Sequence, residues 1–298
     1  MITKAVIEDL VVLRMKVNKI EPQGFCKGVI NALNIVNDTL KIKNRIYLLG
    51  EVIHNKNVIN DLQEKGAITI PTNNRTRLEL LDEIDKGTVI FSAHGVSNAV
   101  YEKAKAKGLD VIDATCPMVH LVHNNIIKRI NDGYDIIYIG TKNHPEVEGV
   151  LGISSSIHFI SNVDEIDSLN INNDKIYSTN QTTLSIYDIE NIYKRLKDKY
   201  PNILIDNKIC NATTIRQEAI KNQPNADLCI IVGDKLSSNT KKLVSVSEKF
   251  TNIKTIQCED LNSLDKNELN GINTVNISSG ASTPDYVVNE IIEYLNNL

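Results

Sequence analysis

Three cysteines carry the most informative spacing in this chain: Cys26, Cys116 and Cys210 are separated by 90 and 94 residues. Each ends an apolar, strand-like run and starts a helix-like one, in PQGFCKGV, DATCPMV and CNATTIRQEA. Thiolates are soft metal ligands, and three that converge without a fourth predict a metal centre with one open position. A structural zinc site closes with four ligands, normally including closely spaced cysteine pairs, and the sequence has no such pair. Iron-sulfur clusters take cysteine thiolates, and a cluster held by only three leaves one iron free to bind and polarise a substrate oxygen. The competing reading is that these are small core residues, a frequent fate of free cysteine. That reading wins for any one cysteine, but placement at three equivalent strand ends weighs against it. Cys229 and Cys258 lie off the frame, inside or at the end of apolar runs, and are expected in the core.

A second tier of polar residues follows the same frame. His54, His144 and Ser238 stand 28 residues past the three cysteines, each shortly after an apolar run ending in glycine (IYLLG, IIYIG, CIIVG). His94, Thr182 and Ser282 stand 68, 66 and 72 past them, each after a later apolar run. Histidine N–H groups, with Thr182, Ser237, Ser238, Asn239 and Ser282 at helix starts, can hold a small anion without many cations. Taken singly, each histidine is better read as a surface or capping residue, and Ser237 to Asn239 serve equally well as an N-cap. The shared offsets favour a common site. His120 and His123 imitate a metal set, lying four and seven residues past Cys116 on one helix face. They are off the frame, so they read as surface or packing residues. Glu146, two past His144 in NHPEVEG, is placed to deliver a proton. Glu148 is the competing carboxylate, and a solvated loop acid is the plain alternative for either.

Matched residues need matched scaffolds. A strand from Lys16 to Ile20 leads to Cys26, and the helix after it carries Val29, Ala32, Leu33 and Val36 at helical spacing. The strand Arg45–Leu49, the helix NKNVINDLQEKG, GAITI, the helix LELLDEIDKG, the strand TVIFSAHG, the helix SNAVYEKAKAKG and the strand LDVIDATC follow. The pattern then repeats: a helix from Pro117, YDIIYIG, the loop TKNHPEVEG, strands IHFIS and KIYST, a helix from Ser185 and the strand NILID. A third pass runs through LCIIVG, the loop DKLSSNT, a helix to Phe250, KTIQC, TVNIS and a helix from Pro284. Such alternation predicts parallel sheets, whose ligands bind beyond the carboxyl ends of the strands. The expected fold is therefore α/β, with three pseudo-threefold-related modules whose strand ends face a shared centre. Expected boundaries fall at the cysteines, giving modules 26–115, 116–209 and 210–298. The last lacks a final strand, which the N-terminal strand within 15–25 is expected to supply, leaving 1–14 as an extension.

At 298 residues the chain suits two or three domains rather than one core. Its 42% hydrophobic and 23% charged residues are ordinary for a globular protein. A net charge of -4 without a lysine-arginine run argues against a nucleic-acid partner and leaves room for a small anionic ligand. No apolar run reaches the roughly 18 residues of a membrane span, so no membrane partner is expected. The stretch MITKAVIEDLVVLR contains acids and no small-residue cleavage signature, which argues against a signal peptide and leaves Met15 as an alternative start. Five cysteines without a secretion signal point to a reducing compartment, read as the cytoplasm.

Together PQGFCKGV, GEVIHN, SAHGVS, DATCPMV, NHPEVEG, QTTLS, CNATTIRQEA, SSNT and SGASTPD resemble the 4-hydroxy-3-methylbut-2-enyl diphosphate reductase family, in order from about Val17 to the C-terminus. The resemblance implies three α/β lobes around a 4Fe-4S cluster with three cysteine ligands, mapping onto Cys26, Cys116 and Cys210, and one open iron. It implies diphosphate binding by His54, His94, His144, Ser237, Ser238, Asn239 and Ser282, with Thr182 near the substrate hydroxyl. Glu146 matches the family's proton donor. The implied reaction is reductive dehydroxylation to isopentenyl and dimethylallyl diphosphate, ending the non-mevalonate isoprenoid pathway, with an electron donor such as ferredoxin or flavodoxin. The N-terminal extension departs from the family pattern, and no appended ribosomal-protein-like domain is present in the sequence. Two other readings use the same three cysteines: a quinolinate synthase-like enzyme, and a non-enzymatic iron-sulfur sensor. The HPEVEG and SSN motifs favour the reductase over the first, and turnover separates it from the second.

Overall fold

The computed structural model describes residues 14–298; residues 1–13, and with them the question of the start, lie outside the described residues. The chain runs β1 (Lys16–Lys19), α1 (Lys27–Ile42), β2 (Ile46–Leu49), α2 (Lys56–Glu64), β3 (Ala67–Ile70), the short α3 (Arg77–Leu80), β4 (Thr88–Phe91), α4 (Asn98–Ala106) and β5 (Asp110–Asp113). It continues through α5 (Pro117–Asn131), β6 (Asp135–Ile139), α6 (Pro145–Leu151), β7 (His158–Ile160), β8 (Ile176–Asn180), α7 (Ile186–Lys199) and β9 (Leu204–Ile205). The last third is α8 (Asn211–Lys221), β10 (Leu228–Val232), α9 (Ser238–Phe250), β11 (Lys254–Cys258), β12 (Thr274–Ser279) and α10 (Asp285–Asn296).

Three four-stranded sheets result, ordered β3-β2-β4-β5, β7-β6-β8-β9 and β11-β10-β12-β1. Every pairing is parallel. Strand β1, from the start of the chain, takes the edge that β5 and β9 take in the other sheets, with Lys16–Lys19 in register with Thr274–Ile277.

Parallel strands are covered on both faces, so their central members are buried whether apolar, as in LCIIV of β10, or polar, as at Ser178, Thr179 and Asn180 of β8 and Asn276, Ser278 and Ser279 of β12. All residues of β4 and β10 are buried. Alternation sends Leu48 and Ile90 to one face of the first sheet, against Val29, Ala32 and Val36 of α1. Leu49, Val89 and Phe91 meet Val100 and Ala104 of α4 on the other. The second sheet is likewise clamped between α7, through Ile189, Ile192 and Leu196, and α5, through Val122 and Ile126. In the third, α10 covers one face while α8 and α9 cover the other. Each fully buried Ile, Leu or Val contributes roughly 1.5–3 kcal/mol, so these clamped sheets form a stiff support for the loops at their ends. Cys229 and Cys258 are part of these cores, at 0% and 2% exposure.

Two local expectations need correction. NHPEVEG is not a loop: Pro145 sits at the first helical position and the His144 side chain caps α6. LELLDEIDKG yields only the four-residue α3 and a 3-10 turn over Leu81–Glu83. Leu80, Leu81 and Ile84 are all fully buried, a spacing an α-helix would also satisfy, but the chain closes with Ile84 N–H donating to the Leu81 carbonyl at 3.2 Å and leaves the helix before Gly87 at φ +124.

Candidate active site

The loops beyond the carboxyl ends of the three sheets line one cavity where the three modules meet. Cys26, Cys116 and Cys210 line it, as do His54, His94, His144 and Glu146, and the hydroxyl and amide residues Thr182, Ser237, Ser238, Asn239 and Ser282. His120 and His123 line a different cavity with Tyr101 and Asn124. There His120 Nε2 pairs with Asp113 at 2.9 Å. His123 is buried, and that burial lowers its pKa to about 4. Glu148 turns away to Arg77.

Each frame cysteine occupies an N-cap position, at the starts of α1, α5 and α8, and none of the three side chains makes a capping bond. No thiol is tied up in a formed capping bond, although the Met118 and Val119 amides at the start of α5 favour the Cys116 thiolate. Their amides are pinned equivalently: Cys26 N–H donates to the Ala281 carbonyl at 3.1 Å, Cys116 to Ala93 at 3.0 Å and Cys210 to Thr182 at 2.8 Å. By this bond, Ala93 and Ala281 are the counterparts of Thr182, so the sequence offsets of His94 and Ser282 run one residue ahead. A methyl group on Gly28 would lie 2.7 Å from Cys116 Sγ and 3.8 Å from Cys26 Sγ, so glycine leaves the space those sulfurs use. Burial raises the Cys116 thiol above its usual range, and the charges of Cys26 and Cys210 add to the shift. A metal centre reverses that cost because coordinated thiols are held deprotonated. Free sulfurs, cleared space and shared charge fit a common cluster.

His54, His94 and His144 form a close triad, with ring centroids 4.8, 5.6 and 6.1 Å apart. One nitrogen from each lies within 4.8 Å of the others, a grouping small enough for one ion. The hydrogen bonds favour an anion. His144 Nδ1 accepts the Glu146 N–H at 3.1 Å, which assigns the imidazole proton to Nε2 and makes that atom a donor. Burial keeps His94 and His144 neutral, the latter at a pKa of about 3. His54 Nδ1 faces Glu51 Oε2 at 2.9 Å. His54 Nε2 and Asn239 Oδ1 are buried with no partner among the described residues.

The hydroxyl side of the cavity is built by α9 and the loop after β12. Ser237 caps α9 by accepting the Thr240 N–H at 3.3 Å, and Ser238 and Asn239 open the helix. Capping and cavity lining are therefore not exclusive readings of this stretch. Ser282 Oγ donates to the His54 carbonyl at 3.1 Å and lies 3.4 Å from Ser237 Oγ, joining two modules. Helix-start amides and neutral hydroxyls suit phosphate oxygens.

Glu146 is 2% exposed. Its Oε1 accepts the Thr182 N–H at 2.9 Å and the Tyr138 hydroxyl at 3.3 Å, while Oε2 accepts the Thr182 hydroxyl at 2.9 Å. Burial raises its pKa to about 7 against the opposing pull of those donors. A carboxyl poised near neutrality suits general acid work.

Sequence reasoning missed Arg77 and Tyr138. Arg77 follows Thr76 in a T-x-x-E capping box, a signal that marks a helix start and says nothing of a cavity behind it.

Fold and cavity define an α/β enzyme of three parallel-sheet modules with a cysteine-lined cavity at their junction. The chain belongs to the LytB protein family, whose profile matches residues 17–296. It is 44% identical over 286 residues to the 4-hydroxy-3-methylbut-2-enyl diphosphate reductase of Geobacillus sp. (strain WCH70), and 43% identical to that of Bacillus subtilis (strain 168). Both alignments cover 94% of this chain and 90% of the relative. The E-1-hydroxy-2-methyl-but-2-enyl-4-diphosphate reductase of Plasmodium falciparum superposes with a TM-score of 0.87 at 37% identity, over 94% of this chain and 88% of that one. A second solved structure, of (E)-4-hydroxy-3-methyl-but-2-enyl diphosphate reductase, the terminal enzyme of the non-mevalonate pathway, gives 0.67 at 30% identity over 95% and 100%.

Proposed function

We infer that this chain removes the hydroxyl of 4-hydroxy-3-methylbut-2-enyl diphosphate reductively, releasing water and forming isopentenyl and dimethylallyl diphosphate, the last step of the non-mevalonate route. The observation that carries the reading is Glu146, a buried acid held by Thr182, in the same cavity as three cysteine thiols. The likenesses above give no support to a quinolinate synthase-like enzyme or to a sensor.

Cys26, Cys116 and Cys210 are proposed to hold a 4Fe-4S cluster, their module boundaries falling at these same residues. When bound, such a cluster supplies electrons and a Lewis-acidic iron with an open position. His54, His94, His144 through its Nε2–H, the Ser237, Ser238 and Ser282 hydroxyls and Asn239 are proposed to bind the diphosphate. Thr182 and Glu146 face the hydroxyl end. The Glu146 carboxyl gives its proton to the departing oxygen, directly or through the Thr182 hydroxyl, and the diphosphate itself is placed to supply the final proton to carbon. Closure of the three lobes keeps water out, which strengthens each of these contacts. A small electron carrier such as ferredoxin or flavodoxin is the proposed partner and the cytoplasm the proposed location; among the described residues no helix is long and apolar enough to cross a membrane.

The test is anaerobic purification, iron and sulfide analysis with Mössbauer spectroscopy, and turnover with a chemical reductant. A loaded enzyme that leaves the substrate unchanged overturns the reading.

A further inference from the structure

Arg77, the first residue of α3, is 2% exposed. Its main-chain N–H donates to Glu148 Oε1 at 2.7 Å and its guanidinium Nη1 to Oε2 at 2.5 Å. Glu148 belongs to α6 in the second sheet's module, two residues past Glu146 and four past the capping His144. In a helix this short, fixing one carboxylate fixes the others' directions. The guanidinium also lies near Gly50: a methyl group there would lie 3.8 Å from Nη2 and 4.0 Å from Nε, with Thr72 Cγ2 nearer still at 3.3 Å. Gly50 adopts φ +78 and leads directly into the loop that ends at His54. One cation thus stands between the loop that carries His54 and the helix that carries His144 and Glu146. Its charge is also felt at His94 and His144.

Other cross-module ion pairs, Lys56–Glu259 and Lys242–Asp188, are more exposed. Exposed pairs hold geometry weakly. A guanidinium this deep cannot lose its carboxylate without a large penalty, so the placement of the two modules that brings Glu148 to Nη1 is favoured even though Nε has no partner among the described residues. We propose that Arg77 and Glu148 form a cross-module positioning pair that sets α6, and with it His144 and Glu146, against the His54 and His94 loops. Its kinetic consequence rests on the reaction inferred above; its structural consequence does not.

The test uses the cluster-loaded, full-length protein and the variants Arg77→Gln, Glu148→Gln, their double and Arg77→Lys. Each variant is first shown to keep its iron and to melt above the assay temperature. Backbone hydrogen exchange across residues 145–151 is expected to rise at least threefold in both single variants. Their kcat is expected to fall about tenfold or more with KM within about threefold, and the double to be no worse than the worse single, since both break one contact. Arg77→Lys is expected to recover melting temperature more than kcat, because an ammonium keeps the charge without the fork. Unchanged exchange in α6, wild-type turnover in either single variant, or losses that multiply in the double would each overturn the pair. If wild-type enzyme fails to turn over, the functional reading falls while the exchange result still decides the pair.

Discussion

Thr182 holds both oxygens of Glu146, its amide donating to Oε1 and its hydroxyl to Oε2, each at 2.9 Å. These donors favour the ionised carboxylate, and burial opposes them more strongly, so the acid settles at a pKa of about 7. Nothing else among the cavity-lining residues combines a carboxyl with this position. Glu146→Gln keeps the shape and loses the proton. It is expected to retain iron and bind inorganic pyrophosphate normally while turnover falls about a hundredfold or more, the scale of general acid catalysis. The exposed Glu190→Gln serves as the control, since Glu148 is paired with Arg77 and is no neutral comparison. Normal turnover in Glu146→Gln would show that another group supplies the proton.

The same balance fixes a pH dependence. A general acid must carry its proton, so kcat/KM is expected to fall as pH rises through about 7. Thr182→Val removes one donor to the ionised form and should move that limb to higher pH. Stability follows the same sign. The folded pKa lies above the 4.5 of an unperturbed glutamate, so the native state binds a proton that the unfolded chain releases between the two values. This contribution is complete below about 4.5 and lost as pH rises through about 7. Glu146→Gln should therefore flatten the melting-temperature profile over that window. An unmoved limb in Thr182→Val would separate that hydroxyl from the proton donor.

Most of the architecture was legible because the signal is repeated. Alternating strands and helices, three cysteines at near-equal spacing and shared offsets to His54, His144 and Ser238 each constrain the same fold. What escaped was cross-module contact. A capping box told where α3 starts but not that Arg77 would reach α6, because periodicity describes one element at a time. Tyr138 was read only as part of the apolar run YDIIYIG; that its hydroxyl meets Glu146 depends on how α6 turns back over β6. The loop reading of NHPEVEG failed for a local reason, since a proline at the first helical position and a histidine cap are weaker signals than a Ser or Asp cap.

Cys26, Cys116 and Cys210 should each be needed for iron, and Cys229 and Cys258 should not. The first three carry thiols free of helix capping beside one cavity. The other two lie in cores, where burial pushes their thiols up to about 11 and about 12. Serine at each position, followed by iron and sulfide analysis, checks this. Full cluster content in any of the first three variants would remove that residue from the ligand set.

Gly28→Ala offers an independent probe of the same space. The added methyl would stand 2.7 Å from Cys116 Sγ, closer than real contacts allow, while Gly28 needs no unusual backbone angle. Folding should survive, since the site is at the cavity wall, yet the sulfur must shift. Iron content is expected to drop severalfold with the far-ultraviolet spectrum unchanged. A fully loaded Gly28→Ala protein would mean the cluster does not need Cys116 where it stands.

The histidine triad makes the last prediction, about protons rather than iron. Burial holds His94 and His144 in the neutral form, and the lining of the cavity contains no lysine or arginine. A polyanion placed among them favours the imidazolium, so pyrophosphate binding should draw protons from solution. Calorimetry in buffers of different ionisation enthalpy reads that uptake directly. His144 Nδ1 already accepts the Glu146 N–H and has no place for a second proton, whereas His94 Nδ1 faces only the Ser92 hydroxyl, so the informative variant is His94→Gln, which keeps an N–H donor but has no proton to gain. It should lower the uptake and weaken pyrophosphate by about tenfold, the size of one hydrogen bond to a charged group. Were the triad instead a cation site, divalent metal would bind tightly in the absence of pyrophosphate, the uptake would vanish, and His94→Gln would abolish metal binding.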